Sequence, residues 1–320
     1  MNEIQPERVT EYPEGVVCID TGFVRPAMAA SYLVEAGDEA AFIETGTNRN
    51  VTALLEVLER RGWRRDQLRY VIVTHAHLDH AGGAGSLMQQ LPRATLLAHP
   101  RAAPHLVNPA RLEAGVRAVY GDSFYDAMYG MLVPVDSARV RIMEEGDTMK
   151  LGDRTLHFVD TPGHARHHFC VFDDRSRGWF SGDTFGVSYR ELDTHAGAFI
   201  FPSTTPTELD PPALRHSIGR LMEWSPQCMF LVHFGRVQSL ERLRKDLLNR
   251  LERMVDVAER HANSVRRAEA IRSELLDQLM VEARAHGVNM DDARLIELLD
   301  NDVTLNAHGL VAWLNRVAKA

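Results

Sequence analysis

The sequence is poor in cysteine, and its few thiols are scattered. Only Cys18, Cys170 and Cys228 occur among 320 residues, and no two of them form a C-x-x-C pair. This excludes a small disulfide-stapled fold and is typical of a protein from a reducing compartment. Residues 1–3 do not open a basic segment followed by an apolar run. We therefore expect no signal peptide and a cytoplasmic location.

An excess of positive charge and a long apolar run are also lacking. Lys and Arg number 36 against 44 Asp and Glu, which gives a formal charge of −8. Nucleic acids and anionic membranes attract clustered positive charge, so we expect neither as a partner. No stretch approaches the roughly 20 apolar residues that cross a bilayer. Hydrophobic residues at 45% indicate a globular chain with a real core.

The chain changes character near residue 238. Before it, short apolar segments with strand character alternate with helical periodicity, which is typical of sheets covered by helices. After it, apolar residues step by three or four and the strand signal nearly disappears. We predict a domain over residues 1–238 and a helical extension over 239–320. The expected strands cover residues 16–19, 31–35, 40–44, 70–73, 94–98, 140–143, 155–159, 168–172, 179–180 and 229–232. Helices are expected at 50–61, 240–258, 265–283, 291–299 and 310–317.

Two long segments show little periodicity, at residues 107–136 and 185–206. Long irregular segments in a compact domain are often lids or binding loops, and the alternative is a surface helix or core filler. The first segment carries Tyr120, Tyr125 and Tyr129. Their aromatic rings suggest a partly apolar substrate.

The clearest chemical signal directly follows the strand at residues 70–73. Three imidazoles and one carboxylate fall within six residues, as His75, His77, Asp79 and His80. Burying so many polar groups without a ligand would be costly. Imidazole and carboxylate together suit zinc, iron or manganese. The cluster therefore predicts a metal site.

Three further strand ends carry one metal-ligating side chain each, beside a glycine. These are His164 in Thr-Pro-Gly-His, Asp183 in Ser-Gly-Asp-Thr, and His233 in Val-His-Phe-Gly. Each alone is a weak signal, but side chains that follow strands often converge on a functional site. We therefore expect them to complete the metal site.

These four motifs together resemble the metallo-β-lactamase fold superfamily over roughly residues 14–240. The resemblance implies an α/β fold, an αβ/βα sandwich, with an α-helical C-terminal extension. It further implies two divalent transition metal ions, most simply zinc, with iron or manganese as alternatives. In that scheme the first ion binds His75, His77 and His164, the second binds Asp79, His80 and His233, and Asp183 bridges the two.

Other residues receive supporting roles. Glu44 lies where the family usually has the aspartate of Asp-x-Gly, and we expect it to orient ligands rather than bind metal. His168 follows His164 by four residues, as in relatives of the glyoxalase II type, and receives the same expectation. Tyr189, Arg190 and His195, in the second irregular segment, are candidates for substrate contact.

The resemblance predicts hydrolysis of an ester, thioester or lactone by a metal-bridging hydroxide. Asp79 and Asp183 would fix the water and transfer its proton, as the catalytic residues. One alternative is a di-iron protein that reacts with oxygen or nitric oxide, and another is a ligand-sensing protein with weak hydrolase activity. The stripes of the C-terminal helices predict packing within the chain, with a homodimer interface as the alternative.

Overall fold

The computed structural model describes residues 8–319, which form two compact units. The first unit comprises the described part of Met1–Asp160, together with His167–Gly182 and Val232–Gly235. The second comprises Thr161–Arg166, Asp183–Leu231 and the described part of Arg236–Ala320. Residues 1–3, on which the expectation of no signal peptide depends, lie outside the described range. The predicted domain boundary after residue 238 stays a prediction. Among the described residues, no helix has the length and apolar character needed to cross a membrane.

A seven-stranded sheet organises the first unit. Its strands follow chain order, antiparallel from β1 to β4 and parallel from β4 to β7. The turn between β3 and β4 places Gly37 at φ +61°, a conformation that glycine adopts without steric cost. The strands are β1 (Val9–Tyr12), β2 (Val16–Asp20), β3 (Ala30–Ala36), β4 (Glu39–Ile43), β5 (Leu68–Val73), β6 (Thr95–Ala98) and β7 (Val140–Ile142).

Six helices connect and cover these strands. Leu54 and Leu58 of the first helix join the apolar core formed with the sheet, as their helical spacing predicted. The segment 107–136, expected as a binding loop, contains two helices instead, which matches the surface-helix alternative. In the first of these helices, α5, no residue is buried. Its sequence therefore lacks the clear apolar stripe that would have predicted a helix. The helices are α1 (Val51–Arg60), α2 (Leu78–Ala81), α3 (Ala84–Gln90), α4 (Ala103–Val107), α5 (Ala110–Tyr120) and α6 (Asp122–Met128).

Four antiparallel strands continue the first unit in a second sheet. They are β8 (Thr148–Leu151), β9 (Arg154–Asp160), β10 (Phe169–Asp173) and β11 (Gly178–Phe180). Arg154 and Asp173 form a fully buried ion pair at 2.8 Å between neighbouring strands. Arg154 also donates to the carbonyl oxygens of Glu14 and Glu35, so the buried guanidinium is well paired. Its hydrogen bonds tie β9 to the turn before β2 and to β3 itself.

Helices dominate the second unit. Its elements are α7 (Pro211–Glu223), β12 (Cys228–Leu231), β13 (Gly235–Val237, which starts in the first unit), α8 (Leu240–Arg260), α9 (Arg267–Ala285) and α10 (Asp292–Val317). Two short helices were expected where α10 runs without a break, and that expectation was wrong. Residues 300–309 are rich in poor helix formers, but Val303 and Ala307 are buried on one face. Tertiary packing of that face therefore stabilises the helix across residues 300–309.

Candidate metal centre

The end of β5 and the end of β4 meet at one buried carboxylate. Glu44 follows β4 and is fully buried, with a left-handed φ of +63°. Its side chain accepts hydrogen bonds from the hydroxyl and the backbone N–H of Thr74, the residue that follows β5. The Thr74 hydroxyl also lies 3.0 Å from Nδ1 of His75. Glu44 therefore holds the first residue of the His-rich loop in place.

The histidines of this loop converge within a few ångström. Nε2 of His75 lies 2.7 Å from Nδ1 of His77, and the ring centroids of His75 and His80 are 4.1 Å apart. His75 and His80 are both fully buried. One ligand atom each from Glu44, His75 and His80 lies within 4.8 Å of the other two. Imidazole nitrogens and a carboxylate oxygen brought this close form a donor set that suits a transition metal.

A second group in the same unit contains Asp79, His80 and His233. Their ligand atoms also lie within 4.8 Å of one another. Oδ2 of Asp79 is 3.5 Å from Nε2 of His80 and 3.4 Å from Nε2 of His233. The two groups share His80, so the first unit alone brings together two sets of donors.

The partner of His233 fixes which ring nitrogen faces Asp79. Nδ1 of His233 lies 2.7 Å from the carbonyl oxygen of Met28, which can only accept a hydrogen bond. The proton therefore sits on Nδ1, and the Nε2 lone pair of a neutral ring points toward the Asp79 carboxylate. In that state the ring nitrogen and the carboxylate oxygen, 3.4 Å apart, can bind one cation together. A carbonyl bound to the far ring nitrogen is the usual support of a metal-ligating histidine.

The second unit repeats this arrangement with His164 and Asp183. Nδ1 of His164 lies 3.1 Å from the carbonyl oxygen of Ser203, and Nε2 lies 3.2 Å from Oδ2 of Asp183. The Ser203 hydroxyl donates to the same Asp183 oxygen at 3.2 Å. The side chains of His164 and Asp183 are almost fully buried. The donor chemistry of both units thus fits divalent transition metals.

The residues predicted to support the ligands or to contact the substrate differ in their surroundings. His168 is buried with its ring centroid 4.8 Å from that of His75, as a supporting role requires. Tyr189 is buried and donates to Asp302 at 3.0 Å, which favours a structural role. Arg190 binds Ser188, and His195 is exposed. The roles of all these residues stay predictions.

Sequence reasoning missed Thr74 and Ser203 as supports of the ligands. Thr74 stands directly before the His-rich motif, so its position was a usable signal. Ser203 lies 20 residues beyond Asp183 in an irregular segment, and no motif marks it. Its role depends on the folded chain.

Comparison with known proteins identifies the family. A family model described as the metallo-β-lactamase superfamily matches residues 24–221. The chain belongs to this superfamily. The expected sandwich fold with a helical C-terminal region and the prediction of a metal-dependent hydrolase of this superfamily are thereby confirmed. The superfamily binds divalent metals, in agreement with the donor groups described above.

Three relatives illustrate the likeness. A metallo-β-lactamase fold-containing protein from Sulfurisphaera tokodaii, ST1585, is 29% identical over 60% of this chain and 71% of its own length. Its crystal structure superposes with a TM-score of 0.65 at 22% identity, covering 92% of this chain and 98% of that one. A hydroxyacylglutathione hydrolase from Rhodopseudomonas palustris is 28% identical over 44% of each chain. The bovine acyl-coenzyme A thioesterase MBLAC2 is 27% identical over 53% of this chain and 63% of its own length. The matches to these two enzymes thus cover less than two thirds of their lengths.

The first prediction concerns metal retention. His77→Ala removes a half-buried imidazole from the His-rich loop, so we expect the purified protein to lose at least one bound metal ion per chain. Elemental analysis after growth in metal-supplemented medium measures this, and circular dichroism confirms that the variant is folded. His216→Ala, at an exposed position on α7, is the matched control and should keep the wild-type metal content. Equal metal content in both variants would contradict the ligand assignment.

The second prediction concerns Glu44. Glu44→Gln keeps the side-chain shape but removes the negative charge 3.4 Å from Nδ1 of His80. We expect zinc affinity to fall about 10- to 100-fold, the usual effect of losing a group that orients a ligand. Competition with a chromophoric chelator measures the affinity. Glu59→Gln, on the exposed side of α1, serves as the control, and an unchanged affinity in Glu44→Gln would refute the orienting role.

Proposed function

We propose that this chain is a dinuclear metal-dependent hydrolase that cleaves a thioester, an ester or a lactone. The proposed ligands are those of the superfamily pattern, His75, His77, Asp79, His80, His164, Asp183 and His233. The observation that carries the proposal is the repeated opposition of a histidine Nε2 and a carboxylate oxygen. It occurs at His233 with Asp79 and again at His164 with Asp183. Two separate pairs that can each bind a cation support a centre with two ions.

Bound ions would lower the pKa of a coordinated water and polarise the substrate carbonyl. Proton transfer and the orientation of the water are assigned to residues of the chain. Asp79 has a side chain that is 21% exposed, whereas that of Glu44 is 1% exposed. Asp79 can therefore reach water, and we assign it the proton released by that water and its delivery to the leaving group. Asp183, held by Ser203, is assigned to orienting the water.

A cluster of aromatic side chains lies near Asp79 in the first unit, and we call it the aromatic wall. Its rings stack or pack edge to face from Tyr120 through Phe124 and Tyr129 to Phe23, with centroid separations of 5.4, 6.1 and 5.9 Å. Leu78, the neighbour of Asp79 in sequence, is buried in the same cluster. Its continuity with the proposed metal centre suggests that the wall binds the apolar part of an acyl substrate.

The tyrosines of the wall are uncharged at neutral pH. Burial, and then the nearby charge of Asp79, raise the pKa of Tyr120 to about 12. The pKa of Tyr129 is raised by the same two causes. Neutral phenols next to a carboxylate keep the wall apolar with two hydrogen-bond donors, which suits an acyl chain that ends in a carbonyl.

The relatives support a thioester over the other bonds. Two of the three are named as a hydroxyacylglutathione hydrolase and an acyl-coenzyme A thioesterase, and both names describe thioester cleavage. The three cysteines are buried as thiols, which suits the proposed cytoplasmic location. A small-molecule substrate, rather than a nucleic acid or a membrane, remains part of the proposal.

The test of this function combines metal analysis with a substrate panel. We expect two metal ions per chain, zinc in a colourless protein, and turnover of acyl thioesters that chelation abolishes and zinc restores. Lactones, carboxylic esters and phosphodiesters complete the panel. Iron with a visible absorption band that changes with oxygen, and no hydrolysis, would instead establish the di-iron alternative.

The aromatic wall gives a prediction on substrate preference. Phe124, 40% exposed, can be replaced by Ala with little effect on folding. We expect KM for a long-chain acyl thioester to rise about 10-fold, equivalent to about 1.4 kcal/mol of lost apolar contact, with little change for an acetyl thioester. The control Ile142→Ala removes a similarly exposed apolar side chain, 50% exposed on β7, and should leave both KM values unchanged. Parallel changes for long and short substrates would exclude the wall as an acyl-binding surface.

A further inference from the structure

Ser203 is the one residue described above that contacts both proposed ligands of the second unit. Its carbonyl oxygen accepts from Nδ1 of His164, and its hydroxyl donates to Asp183. The first bond sets the tautomer and ring orientation of His164, and the second sets the direction of the Asp183 carboxylate. The geometry of both ligands therefore depends on where the backbone at residue 203 is placed.

Residue 203 lies in a segment without regular secondary structure, so other groups must hold it. Asn306 on α10 supplies this hold from both sides. Its Nδ2 donates to the carbonyl oxygen of Pro202 at 3.0 Å, and its Oδ1 accepts from the backbone N–H of Thr204 at 3.0 Å. Asn306 is 4% exposed, so these bonds form away from competing water. A buried asparagine amide thus grips the peptide groups on either side of Ser203.

A glycine allows α10 to come close enough for this grip. A Cβ atom at Gly309 would lie 2.5 Å from the carbonyl oxygen of Thr205 and 2.6 Å from Oγ1 of Thr204. Glycine is disfavoured in a helix interior, so its position here reflects the close approach of the loop. The Thr204 hydroxyl also donates to the carbonyl oxygen of Leu305 at 3.3 Å. The contact between α10 and residues 202–205 therefore involves both side chains and backbone.

We infer that Asn306 and Gly309 are positioning residues for the metal ligands His164 and Asp183 and act on them through Ser203. This inference rests on the proposed function, since it requires that the two ligands bind metal. It gives α10 a part in building the metal centre. The order of action is from helix α10 to the 202–204 backbone, and from there to the two ligating side chains.

The test uses Asn306→Leu, which nearly preserves side-chain volume but removes both hydrogen bonds to the loop. We expect the affinity for zinc, measured by chelator competition, to fall about 10- to 100-fold. The visible absorption spectrum of the cobalt-substituted protein should change, because it reports the ligand geometry directly. In steady-state kinetics kcat should fall while KM changes little, since no substrate contact is removed.

A milder variant tests the same route if Asn306→Leu folds poorly. Ser203→Ala removes only the hydroxyl that binds Asp183, and it should shift the cobalt spectrum and weaken zinc binding in the same direction. In the double variant Ser203→Ala with Asn306→Leu the two effects should combine to less than their sum, because both weaken the bond between the Ser203 hydroxyl and Asp183. Full additivity would overturn the proposed route through Ser203.

Two controls on α10 separate positioning from general stability. Thr304→Val removes a hydroxyl that Arg272 contacts at 3.1 Å, and Leu299→Ala opens a cavity at a fully buried position. Both should keep the wild-type zinc affinity and cobalt spectrum, even where Leu299→Ala lowers the melting temperature. The inference fails if Asn306→Leu behaves like wild type, or if the controls lose metal to the same extent. A wild-type protein that binds no transition metal would instead overturn the proposed function itself.

Discussion

The candidate metal centre depends on imidazole rings whose Nδ1–H group donates a hydrogen bond to a backbone carbonyl oxygen. His233 and His164 each donate a hydrogen bond from Nδ1 to such an oxygen, and the Nε2 atom of each ring faces a carboxylate. A neutral ring held in this way presents the Nε2 lone pair, beside a carboxylate, to a divalent cation. The surrounding fold supplies the carbonyls at the right places, at Met28 before β3 and at Ser203 in the loop after β11. The scaffold therefore determines the chemistry by fixing protons before any substrate arrives.

Much of this could be predicted because the relevant signals are local in sequence. The motif from His75 to His80 occupies six residues after a clear strand, and each remaining ligand stands beside a glycine at a strand end. The β3–β4 hairpin and helix α1 could be predicted as well, because Gly37 favours a turn and the apolar residues after Asn50 have helical spacing. Short strands such as β1 and β8 were missed because their exposed faces dilute the alternating pattern.

What could not be predicted depends on contacts between residues distant in sequence. Asn306 forms hydrogen bonds with residues 202 and 204, roughly one hundred positions away in sequence. No motif near Asn306 predicts these contacts. The segment 185–206 was recognised as irregular, yet its ties to helices α8, α9 and α10 are visible only in the fold. The continuity of α10 has the same origin, because burial of one face outweighs the poor helix propensity of residues 300–309.

The left-handed backbone of Glu44 sets a local steric cost against the hydrogen bonds of its side chain. A side chain at φ +63° carries a steric cost of roughly 1 kcal/mol that glycine would avoid. Glycine at this position would remove that cost, but it would also remove the carboxylate that accepts two hydrogen bonds from Thr74, at about 1–3 kcal/mol for each buried donor left behind. The locally unfavourable backbone at the ends of β4 and β5 is therefore outweighed by the hydrogen bonds of the side chain that it carries.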